Sequence, residues 1–453
     1  MILFVISLRT KNELSYCFIF ILCYTYERKS GKLEVYDRNN EKEDIKMKYK
    51  PVCKYVPIPQ PVTCNRMIAC HYYPGWKKGK SGHANDNGFY NLKDYPERTP
   101  LLGYYDEANP EVTDWEIKWA VEHGINCFIY CWYRCRENLG KPVTREALRL
   151  GYALHDGLFN ARYQDYMKFA IMFECSPIWA TAADEDDFLN HVLRFWIDNY
   201  FSRDNYLRLP DGTPVIYVYS QKYLIEALGG DEKCAEILEK AREMMRREGF
   251  TGLHFSAINS VHQVEFLKGP RKSGFDSTFQ YCWFFYPEMI HKAEYQAYME
   301  SGTRRLPPEI VIRTQLQRIK ERIACDPYWC MFTNSVMRDS SPWYNIPHFF
   351  TPEKVEKLIQ WWLEPKEWRS LLKQTKELID KLPSDSIGNQ IFIIDNWNEY
   401  GEGHFVAPAA GYGFQYLQAI REVFTECDNL PDYRLPQTLG LGPYDQEYSE
   451  NQE

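Results

Sequence analysis

Two carboxylates stand close together in the stretch IFIIDNWNEYGEG, residues 391–403, just after a short apolar run ends. Glu399 and Glu402 are three residues apart, so one helical turn would point both side chains to the same side. Gly401 and Gly403 permit a sharp turn and a close approach of substrate to the backbone. Such a pair suits cleavage of a glycosidic bond, in which one carboxyl group donates a proton and the other acts as base or nucleophile. The alternative is a glycine-rich turn with solvated acids.

The overall composition favours a neutral or weakly charged ligand. Aromatic residues make up 16% of the chain, including 34 Tyr and 13 Trp. Flat rings stack on the apolar faces of sugars and line ligand pockets, although a large aromatic core would give the same composition. The net charge is −8, without the basic patch that a nucleic-acid binder shows. We therefore expect a carbohydrate partner and no nucleic-acid partner.

Cysteine spacing does not indicate a metal site. The 14 cysteines form no CxxC pair. Cys127, Cys131 and Cys135 are spaced by four, but no histidine or further cysteine completes a zinc set. Many of the others lie in or beside apolar runs, which is typical of buried free thiols. We expect no metal and no other cofactor, and reduced cysteines favour the cytoplasm.

From residue 66 onward, strand-like apolar runs alternate with helix-like segments. The pattern predicts strands over residues 66–73, 125–133, 167–175, 213–220, 252–259, 275–283, 329–335 and 390–397. It predicts helices over residues 112–124, 144–157, 185–201, 223–230, 234–249, 352–383 and 411–424. Thr113 or Asp114 can cap the first helix, and Gly124 can end it.

Near-continuous apolar strands separated by helices are typical of a parallel sheet that is covered on both faces. Eight such units predict an α/β fold, a (β/α)8 TIM barrel with inserted loops. A doubly wound open sheet is the alternative. It is disfavoured in its nucleotide-binding form because no glycine-rich phosphate loop follows the first strand.

In a barrel, the active site lies at the C-terminal ends of the strands. The side chains predicted there are aromatic, amide or acidic, with almost no Lys or Arg, as in a sugar cleft rather than a phosphate site. We take the following as candidate substrate-binding residues: Tyr72, Tyr73, Trp76, Trp132, Glu174, Tyr219, Trp283, Asn398 and Tyr400. Glu174 can also be read as a third catalytic acid or a salt-bridged structural one, and Tyr72 and Trp76 as ordinary packing.

Residues 1–65 show no barrel unit, and we predict a partly disordered appendage there, a catalytic domain over 66–426 and an acidic tail over 427–453. The apolar stretch 14–26 has only 13 residues, too few to span a bilayer comfortably, and it lacks the flanks of a signal peptide. We expect no stable membrane span. A cytoplasmic location is favoured, with an extracytoplasmic or membrane-associated one through residues 14–26 as the alternative.

Several blocks of the sequence resemble one known family. NWNEYGEGHFVAP followed by GYGFQYLQAI resembles the C-terminal signature of the glycoside hydrolase family 99-like domain. HYYPGW, TPLLGYYDEANPEVTDWEIKWAVEHGINCFIYCWY and RDSSPWYN resemble three further blocks of that domain. The resemblance extends over residues 66–424, the whole predicted barrel.

The resemblance implies a (β/α)8 barrel, internal cleavage of α-mannosides as in the characterised enzymes, and no metal requirement. The paired glutamates of the family match Glu399 and Glu402. Glu399 would then take the proton of the substrate 2-hydroxyl, which attacks the anomeric carbon and gives a 1,2-anhydro sugar. Glu402 would protonate the leaving oxygen and then activate water, with net retention. Tyr400 departs from the tryptophan more usual at its position, which bears on substrate stacking.

Two other functions stay open. Some members of the wider domain group are labelled glycosyltransferases of surface-polysaccharide or lipopolysaccharide synthesis. This chain lacks a nucleotide-sugar phosphate loop, although transferases need not have one. The third possibility is a non-catalytic carbohydrate-binding barrel, which would keep its aromatic residues but could lose either glutamate. Both glutamates are present, which favours a glycoside hydrolase.

Overall fold

The computed structural model describes residues 24–29, 32–37, 55–77, 88–259, 269–303, 305–343 and 359–446. The chain divides into two compact units, residues 1–52 and residues 53–453. In the first unit, Tyr24–Lys29 pairs antiparallel with Lys32–Asp37. Most of the predicted apolar stretch 14–26 lies outside the described residues, and the predicted domain boundaries at 65 and 426 stay predictions.

Eight parallel strands form the core of the second unit, as the sequence predicted. They are β1 (Met67–Tyr72), β2 (Cys127–Arg134), β3 (Lys168–Glu174), β4 (Val215–Tyr219), β5 (His254–Ile258), β6 (Ser277–Phe279), β7 (Phe332–Ser335) and β8 (Ile391–Asp395). Nearly all of their side chains are buried because helices cover the outer face and other side chains fill the interior.

The strands follow each other around a nearly closed barrel. From β1 to β6 and from β7 to β8, each strand pairs in parallel with the next strand along the chain, and β8 pairs with β1. Between β6 and β7, a single parallel bridge joins Thr278 to Cys330. The backbone N–H of Thr278 donates to the carbonyl of Trp329, 2.8 Å away, and its carbonyl accepts from the N–H of Met331, also at 2.8 Å. The (β/α)8 barrel prediction is therefore confirmed.

Alternate residues of each strand point into the barrel, because successive side chains of a strand lie on opposite faces. His71 of β1 meets the ring of Tyr281, which follows β6, with ring centroids 4.8 Å apart. Cys131 of β2 places its sulfur 3.8 Å from the Tyr281 hydroxyl. These strands are not neighbours in the sheet, so the contacts cross the interior. The intervening residues, such as Tyr130 and Trp132, point outward to the helices.

Seven α-helices of at least seven residues lie in the described ranges. They are α1 (Pro110–Glu122), α2 (Gln221–Ala227), α3 (Asp231–Arg247), α4 (Lys292–Glu300), α5 (Pro308–Cys325), α6 (Pro365–Ile379) and α7 (Gln415–Phe424). Asn109, rather than Thr113 or Asp114, caps α1, and its side chain accepts from the N–H of Glu111. No helix within these ranges has the length and apolar character that crossing a membrane requires.

Shorter helical pieces complete the outer layer. Residues 187–201 form one run with wide π-type turns, made of Asp187–Leu193, Arg194–Trp196 and Ile197–Phe201. The remaining short turns are Gly88–Leu92, Pro96–Arg98, Arg136–Asn138, Arg145–Ala147, Ala153–Gly157, Leu158–Asn160, Gln164–Tyr166, Gly269–Lys272, Pro287–Met289, Ser341–Trp343, Ile387–Gln390 and Pro436–Leu439.

Two predicted helices are wrong over part of their length. In residues 144–157, Leu148–Arg149 forms a short strand that pairs antiparallel with the end of β2, and only short helical turns flank it. Of the predicted helix 352–383, residues 352–358 lie outside the described residues, Trp361–Trp362 pairs with Met337–Arg338, and a helix follows at Pro365–Ile379. In both cases a neighbouring strand edge supplies hydrogen bonds that the helical period of the sequence does not reveal.

Segments on either side of the barrel pack onto α1. The Tyr55 hydroxyl donates to Asp114 at 2.5 Å. On the C-terminal side, Asp432 lies 3.2 Å from Nζ of the buried Lys118. The indole N–H of Trp115 donates to the Tyr444 hydroxyl at 2.9 Å. The predicted tail thus contributes contacts to the barrel unit over residues 432–446.

Candidate active site

The chain reverses direction directly after β8. Asn398–Glu399 pairs antiparallel with His404–Phe405, so that Glu399 lies opposite His404 across a tight hairpin. Both glycines of the turn are required. A Cβ on Gly401 would lie 1.9 Å from the Trp343 ring, and Gly403 has a φ of +70° with the Asp339 carbonyl 2.5 Å from the position of a Cβ. The turn is a hairpin rather than the expected helical turn, yet it places both glutamates on one side.

Glu399 and Glu402 meet at a single histidine nitrogen. Nε2 of His404 lies 3.2 Å from Oε2 of Glu399 and 3.3 Å from Oε2 of Glu402. These three ligand atoms all lie within 4.8 Å of one another. Glu399 is 5% exposed and His404 is fully buried, whereas the Glu402 side chain is 21% exposed and faces the opening. The pair therefore sits at the C-terminal mouth of the barrel, where the sequence placed it.

Further donors surround the two carboxylates. The hydroxyl of Tyr281 donates to Oε2 of Glu399, and the amide of Asn396 reaches the same oxygen at 3.2 Å. Arg338, from the short strand after β7, donates to Oε2 of Glu402. Beyond the shared His404, Glu399 thus has two neutral donors, whereas Glu402 pairs with a guanidinium.

Burial and charge set the ionisation of this group. Burial raises the pKa of Glu399 to about 7, and the charge of Glu402 adds to this, while His404 and the Tyr281 hydroxyl oppose it. Burial lowers the pKa of His404, but the charges of Asp395 and Glu399 outweigh it and raise that pKa to about 10. Burial lowers the pKa of Arg338, but the charge of Glu402 outweighs this effect, and the net result is a raised pKa. These shifts favour the charged forms of the histidine and the arginine at neutral pH.

Asn398 holds the start of the hairpin against the loop after β1. Its side-chain oxygen accepts from the N–H of Tyr73 at 2.9 Å, and its amide donates to the buried Glu107 at 2.9 Å. Its own carbonyl accepts from the indole N–H of Trp76 at 2.8 Å. Asn398 is fully buried, so these contacts assign it to positioning the glutamate that follows it.

Four of the predicted aromatic residues are packed away from the mouth. Tyr72 donates to Glu116 of α1, Trp132 donates to Tyr200 in the helix layer, and Trp283 donates to the Thr333 carbonyl. Trp76 stacks on Phe89 with centroids 4.4 Å apart. All four are at most 2% exposed. Tyr72 and Trp132 occupy the outward parity of their strands, which explains why they face helices rather than the barrel interior.

Tyr400 is also buried in packing. It is 1% exposed, and its ring lies against Trp76 and Phe405, with centroids 5.4 Å and 4.9 Å away. It therefore supports the hairpin within the same aromatic cluster as Trp76.

The other three predicted residues face the interior near the glutamates. Tyr73 lies close enough for the charge of Glu399 to contribute, after burial, to raising its pKa. The ring of Tyr219 meets Tyr281 edge to face, 5.5 Å away. Glu174 accepts from the N–H of Ser176 at 2.7 Å, and burial raises its pKa. Tyr219 and Glu174 are partly exposed and border the opening.

The sequence did not identify His404, Arg338, Asn396 and Asp395 as site residues, and Tyr281 lay only within the predicted strand 275–283. His404 stands two residues after Glu402, a spacing that places alternate residues on one face of a strand, and this was the available signal. Arg338 carried no signal, because its approach depends on a connection after β7 that no local pattern predicts.

The donor set bears on whether a metal ion fits here. Glu399, Glu402 and His404 have the closeness that a shared cation would need. However, Tyr281 and Arg338 already donate to the carboxylate oxygens that face His404. With a cationic arginine and a cationic histidine in place, the residues fit charge balance by the protein rather than by an ion.

A surface cavity lies elsewhere in the barrel unit. It measures about 740 Å3 and is open to solvent between the turn Pro287–Met289, α4 and α5. None of the candidate residues lines it. We therefore place the site by its chemistry and its position at the strand ends rather than by this cavity.

Comparisons with known proteins agree with this architecture. A family model described as "Glycosyltransferase WbsX" matches residues 84–420, which include both glutamates. Two relatives described as "Uncharacterized protein WxcX", from two strains of Xanthomonas campestris pathovar campestris, are 23% identical over 338 residues, 73% of this chain and 43% of theirs. The chain thus spans less than half the length of the curated relatives it matches.

Solved structures provide a comparison of the fold. A "Glycoside hydrolase-like protein" superposes with a TM-score of 0.52 at 14% identity, covering 82% of this chain and 98% of that one. A GH99 endo-alpha-mannosidase from Bacteroides thetaiotaomicron has a TM-score of 0.46 at 14% identity, covering 80% and 97% of the two chains. At such low identity, the first of these likenesses supports the fold alone.

Proposed function

Because this chain belongs to the glycosyltransferase WbsX family, part of the glycoside hydrolase family 99-like group that its motifs indicated, we propose that its barrel is a glycoside hydrolase. Its substrate is an oligosaccharide or polysaccharide, with an α-mannoside as the first candidate. Glu399 and Glu402 act as the acid and base on one glycosidic bond. Tyr73, Glu174 and Tyr219 are the substrate-binding residues that we retain.

One observation carries this proposal: two carboxylates at the barrel mouth share one buried histidine. Their facing oxygens lie within 4.8 Å of each other. Inverting enzymes leave about 6.5–9.5 Å between their carboxyl groups for a water molecule. A pair this close leaves no such room, which supports a route with retention of configuration.

The reaction through a 1,2-anhydro sugar would use the pair as follows. Glu399 takes the proton of the 2-hydroxyl, whose oxygen attacks the anomeric carbon while the bond to the leaving oxygen breaks. Glu402 gives its proton to that oxygen. Water then attacks the anomeric carbon and loses a proton to Glu402. The bond between that carbon and the former 2-hydroxyl oxygen breaks, and this oxygen regains its proton from Glu399. The net result is hydrolysis with retention.

The electrostatics of the pair favour the opposite resting state. Glu399 is the carboxyl group whose pKa burial raises to about 7, whereas the guanidinium of Arg338 pairs with Glu402 and His404 faces both. A resting base should be ionised and a resting acid protonated. With Glu399 as base, its raised pKa must fall when substrate binds, so that the carboxyl group ionises. With Glu399 as acid, the raised pKa already suits its role.

The leaving group of the substrate separates the two assignments. We expect Glu399→Gln and Glu402→Gln each to lose about 10²–10⁴ in rate on a natural substrate, while substrate still binds. On an activated aryl or fluoride glycoside, the leaving oxygen needs little protonation, so the variant that lacks the acid regains bond cleavage. Rescue of Glu402→Gln supports Glu399 as base, and rescue of Glu399→Gln supports the reverse.

Two controls complete this experiment. Glu377→Gln alters an exposed glutamate on α6 and should leave the rate unchanged. A substrate without the 2-hydroxyl should not be cleaved, and cleavage of it at full rate would exclude the anhydro route. Normal activity of both site variants would refute the proposed hydrolase site altogether.

A glycosyltransferase is the second candidate, and the description of the family favours it. The same pair could transfer the sugar to an acceptor hydroxyl instead of water. Purified protein incubated with mannan, host N-glycans or bacterial surface polysaccharides should release shorter products, seen by chromatography. Products that appear only when an activated sugar donor and an acceptor are added would support the transferase. Binding without any product would support a carbohydrate-binding barrel.

A further inference from the structure

His404 is placed to do more than fill space. It lies on the returning arm of the hairpin, opposite Glu399, and its ring is fully buried. Nδ1 lies 2.9 Å from Oδ1 of Asp395, the last residue of β8. Nε2 faces Glu399 and Glu402 at 3.2 Å and 3.3 Å. Both ring nitrogens thus meet carboxylate oxygens.

The second carboxylate oxygen of Asp395, which does not face His404, is fixed by a further hydrogen bond. This oxygen, Oδ2, accepts from the Ser335 hydroxyl at 2.5 Å. Ser335 is fixed in turn by Gln315 of α5, which accepts from its N–H at 3.2 Å and donates to its carbonyl at 3.1 Å. The chain of contacts from Gln315 through Ser335 and Asp395 therefore sets the position of the His404 ring.

The hydrogen-bond geometry favours a proton on each ring nitrogen. A carboxylate is an acceptor, so Nδ1 must carry a proton to bond to Asp395. A neutral ring would then point the lone pair of Nε2 at two carboxylate oxygens, which is repulsive unless one of them is protonated. A second proton on Nε2 turns both contacts into attraction, which is stronger for a charged donor.

Other titratable groups also face this ring. His71 is buried nearby, and burial lowers its pKa to about 4, so it adds no positive charge at neutral pH. The ring of Tyr281 meets that of His404 edge to face at 5.8 Å. The Cys282 thiol lies close to Asp395 and His404. Arg338 pairs with Glu402, which in turn faces the His404 ring. The three carboxylates thus outnumber the cations around His404.

We propose that His404 is a positioning residue, an imidazolium that holds Glu399 and Glu402 together and balances their charge so that the pair can carry one proton between them. This role rests on the proposed acid–base function of the two glutamates. Without the cation, two carboxylates this close repel each other, and they take up a proton at higher pH or separate. The raised pKa of the ring, about 10, agrees with this role.

The first test needs no substrate. The full chain is labelled with 13C and 15N in its histidines, and ring signals are followed from about pH 5 to pH 10 by NMR. An ordinary histidine loses its proton near a pKa of about 6.5, so we expect His404 to remain charged at about pH 8. In Asp395→Asn, its midpoint should fall by at least about one pH unit. A ring that is neutral at pH 7 in the unmodified protein would overturn the proposal.

The signal is assigned by its absence in His404→Gln. If that variant does not fold, the signal is identified by its shift in Glu402→Gln. His123→Gln is the matched control, because His123 is equally buried but lies at the end of α1, where it bonds to the Trp119 carbonyl. This variant should leave the titration of His404 unchanged.

The second test uses a substrate once one is found. His404→Gln should lower kcat by about 10²-fold with a smaller change in KM, and the pH profile should move to higher pH because the glutamates lose a nearby cation. An equal loss at every pH would indicate a merely structural role and overturn the proposal. Absence of any hydrolase activity in a protein whose His404 remains charged would count against the proposed function instead.

Discussion

The indole nitrogen of Trp76 lies 2.8 Å from the backbone carbonyl oxygen of Asn398, to which it donates a hydrogen bond. The loop after β1 thereby holds the residue that immediately precedes Glu399. Trp76 also packs on Phe89 and is 1% exposed, so its ring is part of the buried support of the hairpin. Trp76 therefore affects a bound substrate indirectly, by fixing the position of the hairpin that carries Glu399.

Substitutions at Trp76 should act first on stability. Trp76→Ala removes a buried ring and should lower the free energy of unfolding by about 3–5 kcal/mol. Trp76→Phe keeps the stacking but loses the bond to Asn398, so we expect a loss of about 1 kcal/mol with a lowered kcat. Urea unfolding and kinetics measure these effects. A stable Trp76→Ala variant with weakened glycan binding alone would instead make this ring a cleft wall.

Arg338 should set the working pH of the pair. Its charge lowers the pKa of Glu399, so Arg338→Met should raise that pKa and move the pH–rate profile to higher pH. Arg338→Lys keeps the charge and should move the profile much less, even if the rate falls. Equal shifts in both variants would show that the shape of the guanidinium, rather than its charge, matters.

The turn of the hairpin should tolerate no side chain at Gly403. Gly403→Ala must adopt a φ of +70° and also approach the Asp339 carbonyl, so we expect a loss of about 2–4 kcal/mol in the free energy of unfolding. Gly413→Ala is the matched control. Its φ is +55° but nothing lies within 4 Å of a Cβ there, so only about 1–2 kcal/mol of backbone strain applies. Similar losses in the two variants would contradict the proposed contact.

The buried Glu116 should make stability fall as pH rises. Burial raises its pKa from 4.5 to about 7, against the hydrogen bonds from Trp397 and Tyr72. The folded state therefore holds this proton more tightly than the unfolded state, and the stabilisation present below about pH 4.5 is lost as pH rises through about 7.

Relative to Glu116→Gln, the unmodified protein should lose up to about 3 kcal/mol between about pH 4 and pH 8, measured by urea unfolding. Using the difference between the two proteins cancels the titration of groups that they share. Glu377→Gln should run parallel to the unmodified protein. Parallel curves for Glu116→Gln as well would show that the folded protein does not raise this pKa.

The barrel was predictable because its strands are long apolar runs at regular spacing, and such runs suit a sheet buried on both faces. The site was predictable only in part. Strand ends can be located along the sequence, but the side of each residue depends on strand parity, and Trp132 points outward while Cys131 points inward. An error of one residue in parity exchanges a packed ring for a site residue.

The pairing of residues across the hairpin could not be predicted from local sequence patterns. Glu399 and His404 are opposite because of backbone hydrogen bonds between two arms of two residues each, too short to give a period. The approach of Arg338 depends likewise on Met337–Arg338 pairing with Trp361–Trp362, about two dozen residues later. Contacts of this kind arise from the tertiary fold, and one sequence does not reveal them.

The single bridge between β6 and β7 gives the barrel a seam of a different nature from its other junctions. Side chains supplement the backbone there: Thr333 donates to the Gln280 carbonyl, and Trp283 donates through its indole to the Thr333 carbonyl and through its backbone to the Ser335 hydroxyl. A backbone ladder survives most substitutions, whereas this seam depends on which residues occupy three positions. Tyr281 follows β6 on one side of the seam, and Arg338 follows β7 on the other. A local opening of the seam would therefore displace the donor of Glu399 and the donor of Glu402 together. Mutational robustness should therefore be unevenly distributed around the barrel, and lower at the junction whose flanking segments carry Tyr281 and Arg338.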